Sequence, residues 1–180
     1  MYDLRNLGGL QLKILETPRL ILREMTLDDD IDLCKMLQDP EVMYAYAHSF
    51  SDEEVRTWLN NQLRRYNEDG FGLWAVVLKE TNEMIGQCGL TRQEFFEPVV
   101  EVGYLFQKQY WHQGYAIEAA EACKHYAFEQ LALNEVWSII RDTNYASMNV
   151  AIRNGMLVRG RKVKHYYGLD MPHYGFSVKR

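Results

Sequence analysis

Apolar residues recur at two different periods along this chain, and the switches between them divide it into elements. Thr17 to Arg23 (TPRLILR) predicts a first strand, with Pro18 at its start, where a missing amide hydrogen is tolerated. Thr26 then predicts a helix cap. Asp28, Asp29 and Asp30 fall in the first turn, near the positive dipole end, and Leu27, Ile31, Cys34 and Leu37 form one stripe until Asp39-Pro40 ends the element. Ser51-Asp52-Glu53-Glu54 is a capping box, and Val55, Trp58, Leu59, Leu63 and Tyr66 follow at helical spacing. Leu73 to Lys79 and Met84 to Leu90 flank the four-residue turn 80–83, which predicts an antiparallel hairpin, and Val99 to Phe106 is the next strand. After Gly114, the positions Ala116, Ala119, Ala120, Cys123, Ala127 and Leu131 give a long helix whose small-residue face can lie close on a sheet. Val136 to Arg141 predicts a strand, Ala146 to Asn154 a short helix closed by Gly155, and strands near Leu157 to Tyr166 and His173 to Lys179 surround a Gly168-Leu169-Asp170 turn.

This order predicts one α/β domain spanning residues 1–180, with residues 1–15 either an extension or an extra strand. A length of 180 residues and 47% hydrophobic content suit one sizeable core. No apolar run is long enough for a membrane helix, and Met1-Tyr2-Asp3-Leu4-Arg5 lacks the form of a signal peptide, so a cytoplasmic protein is expected. Cys34, Cys88 and Cys123 stand singly, which favours free thiols and offers no zinc spacing. The formal charge of −5 argues against nucleic acid as a partner.

The strand ending at Phe106 leads through residues 107–113 into Gly114 and the long helix. Backbone amides at a helix start are unsatisfied donors, and a glycine there permits close approach of a phosphate; alone it is equally an ordinary turn. Neither a P-loop nor a G-x-G-x-x-G fingerprint is present. In combination, Glu101-Val102-Gly103-Tyr104, then Tyr110-Trp111-His112-Gln113-Gly114-Tyr115-Ala116-Ile117-Glu118-Ala119, then Asn144-Tyr145-Ala146-Ser147 and Asn154-Gly155-Met156, resemble the GNAT acetyltransferase superfamily in content and order. The opening Glu16 to Arg23 is similar to the branch containing the ribosomal-protein N-terminal acetyltransferases.

That resemblance implies a central, mostly antiparallel twisted sheet with a splayed strand pair and helices on both faces. It implies acetyl-coenzyme A as co-substrate and an amine as acceptor; with no zinc spacing, no metal is expected. His112, Gln113, Gly114, Tyr115 and Ala116 would cradle the pyrophosphate, although His112 replaces a common small residue and reads equally as a solvent-facing histidine. Leu105, Phe106 and Gln107 would offer backbone groups to the pantetheine arm, and Asn144 and Ser147 would point at the arm and thiol. The spacing of Asn144 and Ser147 is also that of a helix cap.

Transfer needs a neutral amine and a leaving thiolate. Glu101, which interrupts an apolar run and shares a strand face with Gly103 and Leu105, is the candidate base, directly or through water; a strand-edge carboxylate facing water is the alternative. Ser147 is a candidate acid, because Ala151 stands where many relatives carry a tyrosine. Met43, Tyr44 and Tyr46 in one loop, and Tyr167, His173 and Tyr174 in the late hairpin, are candidates for the acceptor wall, though aromatic clusters also serve packing. The expected activity is direct acetyl transfer to a primary amine, a peptide N-terminus or a small amine. A non-catalytic coenzyme A-binding module is the rival. The sequence leaves open which amine is accepted and whether the protein is a monomer or a homodimer.

Overall fold

The computed structural model describes residues 12–94, 96 and 98–180. The expectation for residues 1–15 falls partly outside them: a strand β1 occupies Lys13–Glu16, and residues 1–11 lie outside the described residues. The remaining elements are β2 (Leu20–Arg23), α1 (Asp30–Leu37), α2 (Asp52–Glu68), β3 (Leu73–Leu78), β4 (Glu83–Gln93), β5 (Val99–Phe106), α3 (Tyr115–Glu129), β6 (Glu135–Arg141), α4 (Tyr145–Arg153), β7 (Leu157–Tyr166) and β8 (Leu169–Lys179). They form one sheet in the order β1-β2-β3-β4-β5-β6-β8-β7.

Every neighbouring pair is antiparallel except β5 and β6, which run parallel and meet at a single register pair, Glu101 with Trp137. Beyond that pair the two C-terminal ends diverge, leaving a cleft of the kind in which ligands bind at the carboxyl ends of parallel strands. Helices cover both faces. Successive residues of β4 show this: Gln87 accepts a hydrogen bond from Trp58 of α2 at 3.0 Å, whereas Cys88, pointing the other way, has its sulfur 3.5 Å from that of Cys123 on α3. Ala119, Ala120, Cys123 and Ala127 are fully buried, so the small-residue face of α3 lies on the sheet as its spacing predicts.

Three local expectations are revised. The stripe on α1 is Leu33, Met36 and Leu37, whereas Leu27 and Ile31 are exposed. Asp29 causes the difference: it turns inward to form a two-point ion pair with buried Arg23 of β2 at 2.7 and 2.8 Å, while Thr26 N donates to the same carboxylate. A buried guanidinium needs a counter-charge, and that requirement outweighs the apolar stripe in setting the helix face. Thr17 to Arg19 precede β2 instead of starting it. The last hairpin turns at Tyr167-Gly168, both at positive φ, so Leu169 and Asp170 already belong to β8.

Candidate active site

Gly114 caps α3 at φ +82°, and His112 also has a left-handed backbone at φ +61°. Left-handed residues alternating with right-handed ones turn successive N–H groups toward one side, the geometry of an anion-binding nest. The first helical bond runs from Glu118 N to the Gly114 carbonyl at 3.2 Å, so the amides of Tyr115, Ala116 and Ile117 precede it and are the helix's orphan donors. They border a cavity of about 510 Å³ whose opposite wall is α4 and the end of β5.

Behind this turn sits a clamp. Arg19 donates to the Gln113 carbonyl at 2.9 Å and to Glu118 Oε2 at 2.7 Å, and its guanidinium lies 4.4 Å from the centroid of the Tyr115 ring. Thr17 Oγ1 and the Arg19 amide both donate to Glu118 Oε1, at 2.6 and 2.9 Å. Burial alone would raise the Glu118 carboxyl, yet these donors turn the net shift downward and keep it ionised.

A second cavity, of about 260 Å³, opens where β5 and β6 splay, and it shares Tyr104, Leu105, Asn144 and Ser147 with the first. Glu101 lies in its wall. Its Oε1 accepts the Ile139 amide at 3.0 Å, and Ser138 Oγ donates to the Val102 carbonyl at 2.8 Å. Side chains thus stitch the two strands together where ladder bonds stop. Burial pushes the Glu101 carboxyl up, opposed by the Ile139 amide and by Lys164.

Of the residues proposed for the coenzyme, Leu105, Phe106, His112, Gly114, Tyr115, Ala116, Asn144 and Ser147 border the larger cavity. Gln107 does not. Its amide and side chain bond the carbonyls of Ile85 and Met84 at 3.0 and 2.7 Å, fixing the end of β5 to a bulge in β4. Gln113 also lies outside the cavity wall, its side chain donating to the Gln109 carbonyl and its own carbonyl held by Arg19. The Phe106 carbonyl accepts from Trp111 Nε1 at 2.9 Å. Asn144 caps α4, its Oδ1 accepting from Ser147 N at 3.1 Å and from the Tyr44 hydroxyl at 2.8 Å. Ala151 is buried.

Among the acceptor candidates, Tyr46 and His173 border the smaller cavity, and Tyr44 borders the larger one. Met43 faces the core beneath its loop, Tyr167 packs at a tilt against His48 with ring centroids 4.2 Å apart, and Tyr174 packs edge-on to Phe176; packing therefore keeps these three away from both cavities. Burial lowers the His173 imidazole, leaving it neutral near pH 7.

Several site residues carried no local signal. Tyr104 borders both cavities, and its hydroxyl, pushed far up by burial, donates to the Ser147 carbonyl at 2.7 Å. Arg65 on α2 and Arg141 at the end of β6 border the smaller cavity, although each reads in sequence as an ordinary surface charge.

A nest at a helix start, a splayed parallel pair in a mostly antiparallel sheet and a carboxylate in the smaller of two joined cavities make up the arrangement of a GNAT fold. Residues 19–157 match the acetyltransferase (GNAT) domain family, and the chain belongs to that family and is an N-acetyltransferase. It is similar to the uncharacterized protein YkkB of Bacillus subtilis (strain 168), 38% identical over 146 residues, which are 79% of this chain and 84% of that protein. The crystal structure of an acetyltransferase from Agrobacterium tumefaciens str. C58 superposes with a TM-score of 0.80 at 25% identity, covering 97% of this chain and 100% of that one. RimL, a ribosomal L7/L12 alpha-N-protein acetyltransferase in complex with coenzyme A, shares the fold at 16% identity and a TM-score of 0.74, covering 91% of this chain and 95% of that one. Among the described residues no helix is long and apolar enough to cross a membrane, and no group of three or more His, Cys, Asp or Glu is placed to hold a metal ion.

Proposed function

We propose that this chain transfers acetyl from acetyl-coenzyme A directly to a primary amine, a peptide N-terminus or a small amine, while both are bound. The observation that carries the reading is the shared wall of the two cavities: Tyr104, Leu105, Asn144 and Ser147 stand between a nest suited to a pyrophosphate and a pocket holding a carboxylate. The residues present fit the coenzyme, because Tyr115 to Ile117 offer free helix-start amides and β5 has an open edge past Glu101.

When bound, acetyl-coenzyme A supplies a thioester carbonyl open to attack. The α3 amides hold the pyrophosphate, and the open edge at Leu105 holds the arm that leads toward Ser147. Glu101 accepts the proton that the amine loses as its nitrogen–carbon bond forms, directly or through a water. The carbon–sulfur bond breaks with its electron pair on sulfur. A thiol of pKa near 8.5 leaves as thiolate readily, so a weak donor such as the Ser147 hydroxyl suffices in place of the tyrosine that Ala151 replaces. Tyr104 holds α4 against β5 through the Ser147 carbonyl.

The cysteine sulfurs play no part in this route. Cys88 and Cys123 are fully buried off both cavities, and burial raises the Cys123 thiol well above its ordinary value, which makes it a poor nucleophile. The test is steady-state thiol release with acetyl-coenzyme A and a panel of peptides and small amines. Release that needs an amine, with intersecting initial-velocity lines, is expected. Parallel lines with an isolable acetyl-enzyme would overturn direct transfer, and coenzyme A binding without any amine-dependent release would favour a non-catalytic binding module.

A further inference from the structure

The smaller cavity is built from charges as well as apolar wall. Four charged side chains border it among the described residues: Arg65, Arg141 and Lys164 are cationic and Glu101 is the acid. Lys164 acts electrostatically on Glu101, and Glu101 in turn on Arg65, while Arg141 acts on His173, so these groups surround one space.

Among the described residues, neither arginine forms an ion pair with a carboxylate. Arg65 Nη1 donates only to Gln62 Oε1, at 3.2 Å, and nearby Asp69 is paired instead with Arg92 at 2.8 Å. Arg141 Nη1 donates to the carbonyls of Tyr44 and Ala45, at 3.0 and 3.3 Å, and its Nε is buried with no hydrogen-bond partner. Partly buried guanidinium groups without a carboxylate are costly unless a ligand supplies the anion. A polycationic amine would meet repulsion here. An amine that also carries an anion would meet its complement, and the same cations would lower the pKa of its ammonium, releasing the neutral nucleophile with less demand on Glu101.

We propose that the acceptor is a small primary amine bearing an anionic group, carboxylate or phosphate, with Arg65 and Arg141 binding the anion while the amine faces Glu101. This rests on the acetyl-transfer reading and deepens it. A cavity of about 260 Å³ suits an acceptor of amino-acid size.

The experiment compares 3-aminopropanoate, its uncharged amide, O-phosphoethanolamine, ethanolamine and spermidine as acceptors at saturating acetyl-coenzyme A. One or both anionic amines should exceed the amide, ethanolamine and spermidine by about tenfold or more in kcat/KM, as expected for a charge-assisted contact. The better of the two tells carboxylate from phosphate. Arg65→Gln should remove that advantage through KM with kcat little changed, and Arg65→Lys should keep part of it. Amide or spermidine turned over as well as the anionic amines would overturn the proposal. Melting temperatures in coenzyme A keep the outcomes separate. If no amine releases thiol, the acetyl-transfer reading fails; a stabilisation by 3-aminopropanoate or O-phosphoethanolamine that vanishes in Arg65→Gln still supports the anion site, and equal shifts with the amide sink it.

Discussion

Glu101 has two jobs that compete. As a hydrogen-bond acceptor for Ile139 N it replaces a ladder bond that the splay of β5 and β6 removes, and as a half-buried carboxylate it is raised above the usual pKa of its kind. The folded state binds the Glu101 proton more tightly than the unfolded chain does. Its contribution to stability is therefore full below the unfolded pKa and is lost as the pH rises through the higher folded one. Ionised Glu101 costs stability at neutral pH, a cost that the proposed role as base for the amine would explain. Glutamine retains an oxygen to accept from Ile139 N, which alanine would leave unpaired. Glu101→Gln should lower kcat by about 10²- to 10⁴-fold, the usual worth of a general base. It should also abolish an acid limb lying above the ordinary glutamate value, while the melting temperature holds or rises. Loss of thermal stability with kcat intact would assign Glu101 to structure alone.

At the scale of elements, the turn that leads into α3 is held by residues far from it in sequence. Thr17 and Arg19, in the stretch before β2, grip Glu118 in the first turn of α3, and Arg19 also fixes the Gln113 carbonyl. Glu118 places a negative charge beside an anion site, which is tolerable only while Arg19 neutralises it. Arg19→Gln should therefore weaken coenzyme A binding about tenfold, equivalent to about 1.4 kcal/mol. Adding Glu118→Gln should restore part of it, as calorimetric titration of the single and double variants would show. A double variant weaker than Arg19→Gln would mean that Glu118 serves the turn by bonding rather than by charge balance. This clamp also marks how far the sequence is legible. Gly114 and the small-residue face of α3 are local patterns, and both stand where they were expected. The partnership of Arg19 with Glu118 joins elements 99 residues apart that only the folded sheet brings together. Leu27 and Ile31 show the same limit, since a buried ion pair on the neighbouring strand decides which side of α1 turns inward. Met43, Tyr167 and Tyr174 share with Tyr46 and His173 the residue types of an acceptor wall, and packing alone separates them.

The whole molecule is a sheet in two halves. Strands β1 to β5 form one antiparallel run and β6, β8 and β7 another, and the two meet at one register pair reinforced by Glu101, Ser138 and the helices laid across the seam. A ligand lying between Leu105 on one side and Asn144 and Ser147 on the other bridges the halves. Binding to the folded state alone adds stability by mass action, about 2.7 kcal/mol at a hundred times Kd. That energy should appear at the seam first. Hydrogen exchange with and without coenzyme A should show slowing of up to about a hundredfold at that concentration, the factor by which bound protein outnumbers free, for amides whose opening requires release. Those amides should lie in residues 104–107, 114–117 and 138–147, with the β1 to β3 run changed little. Protection confined to the start of α3 would mean that the coenzyme is held by its phosphates alone. Uniform slowing across all eight strands would mean that the halves open only together, and that the seam carries no independent motion for the coenzyme to restrain.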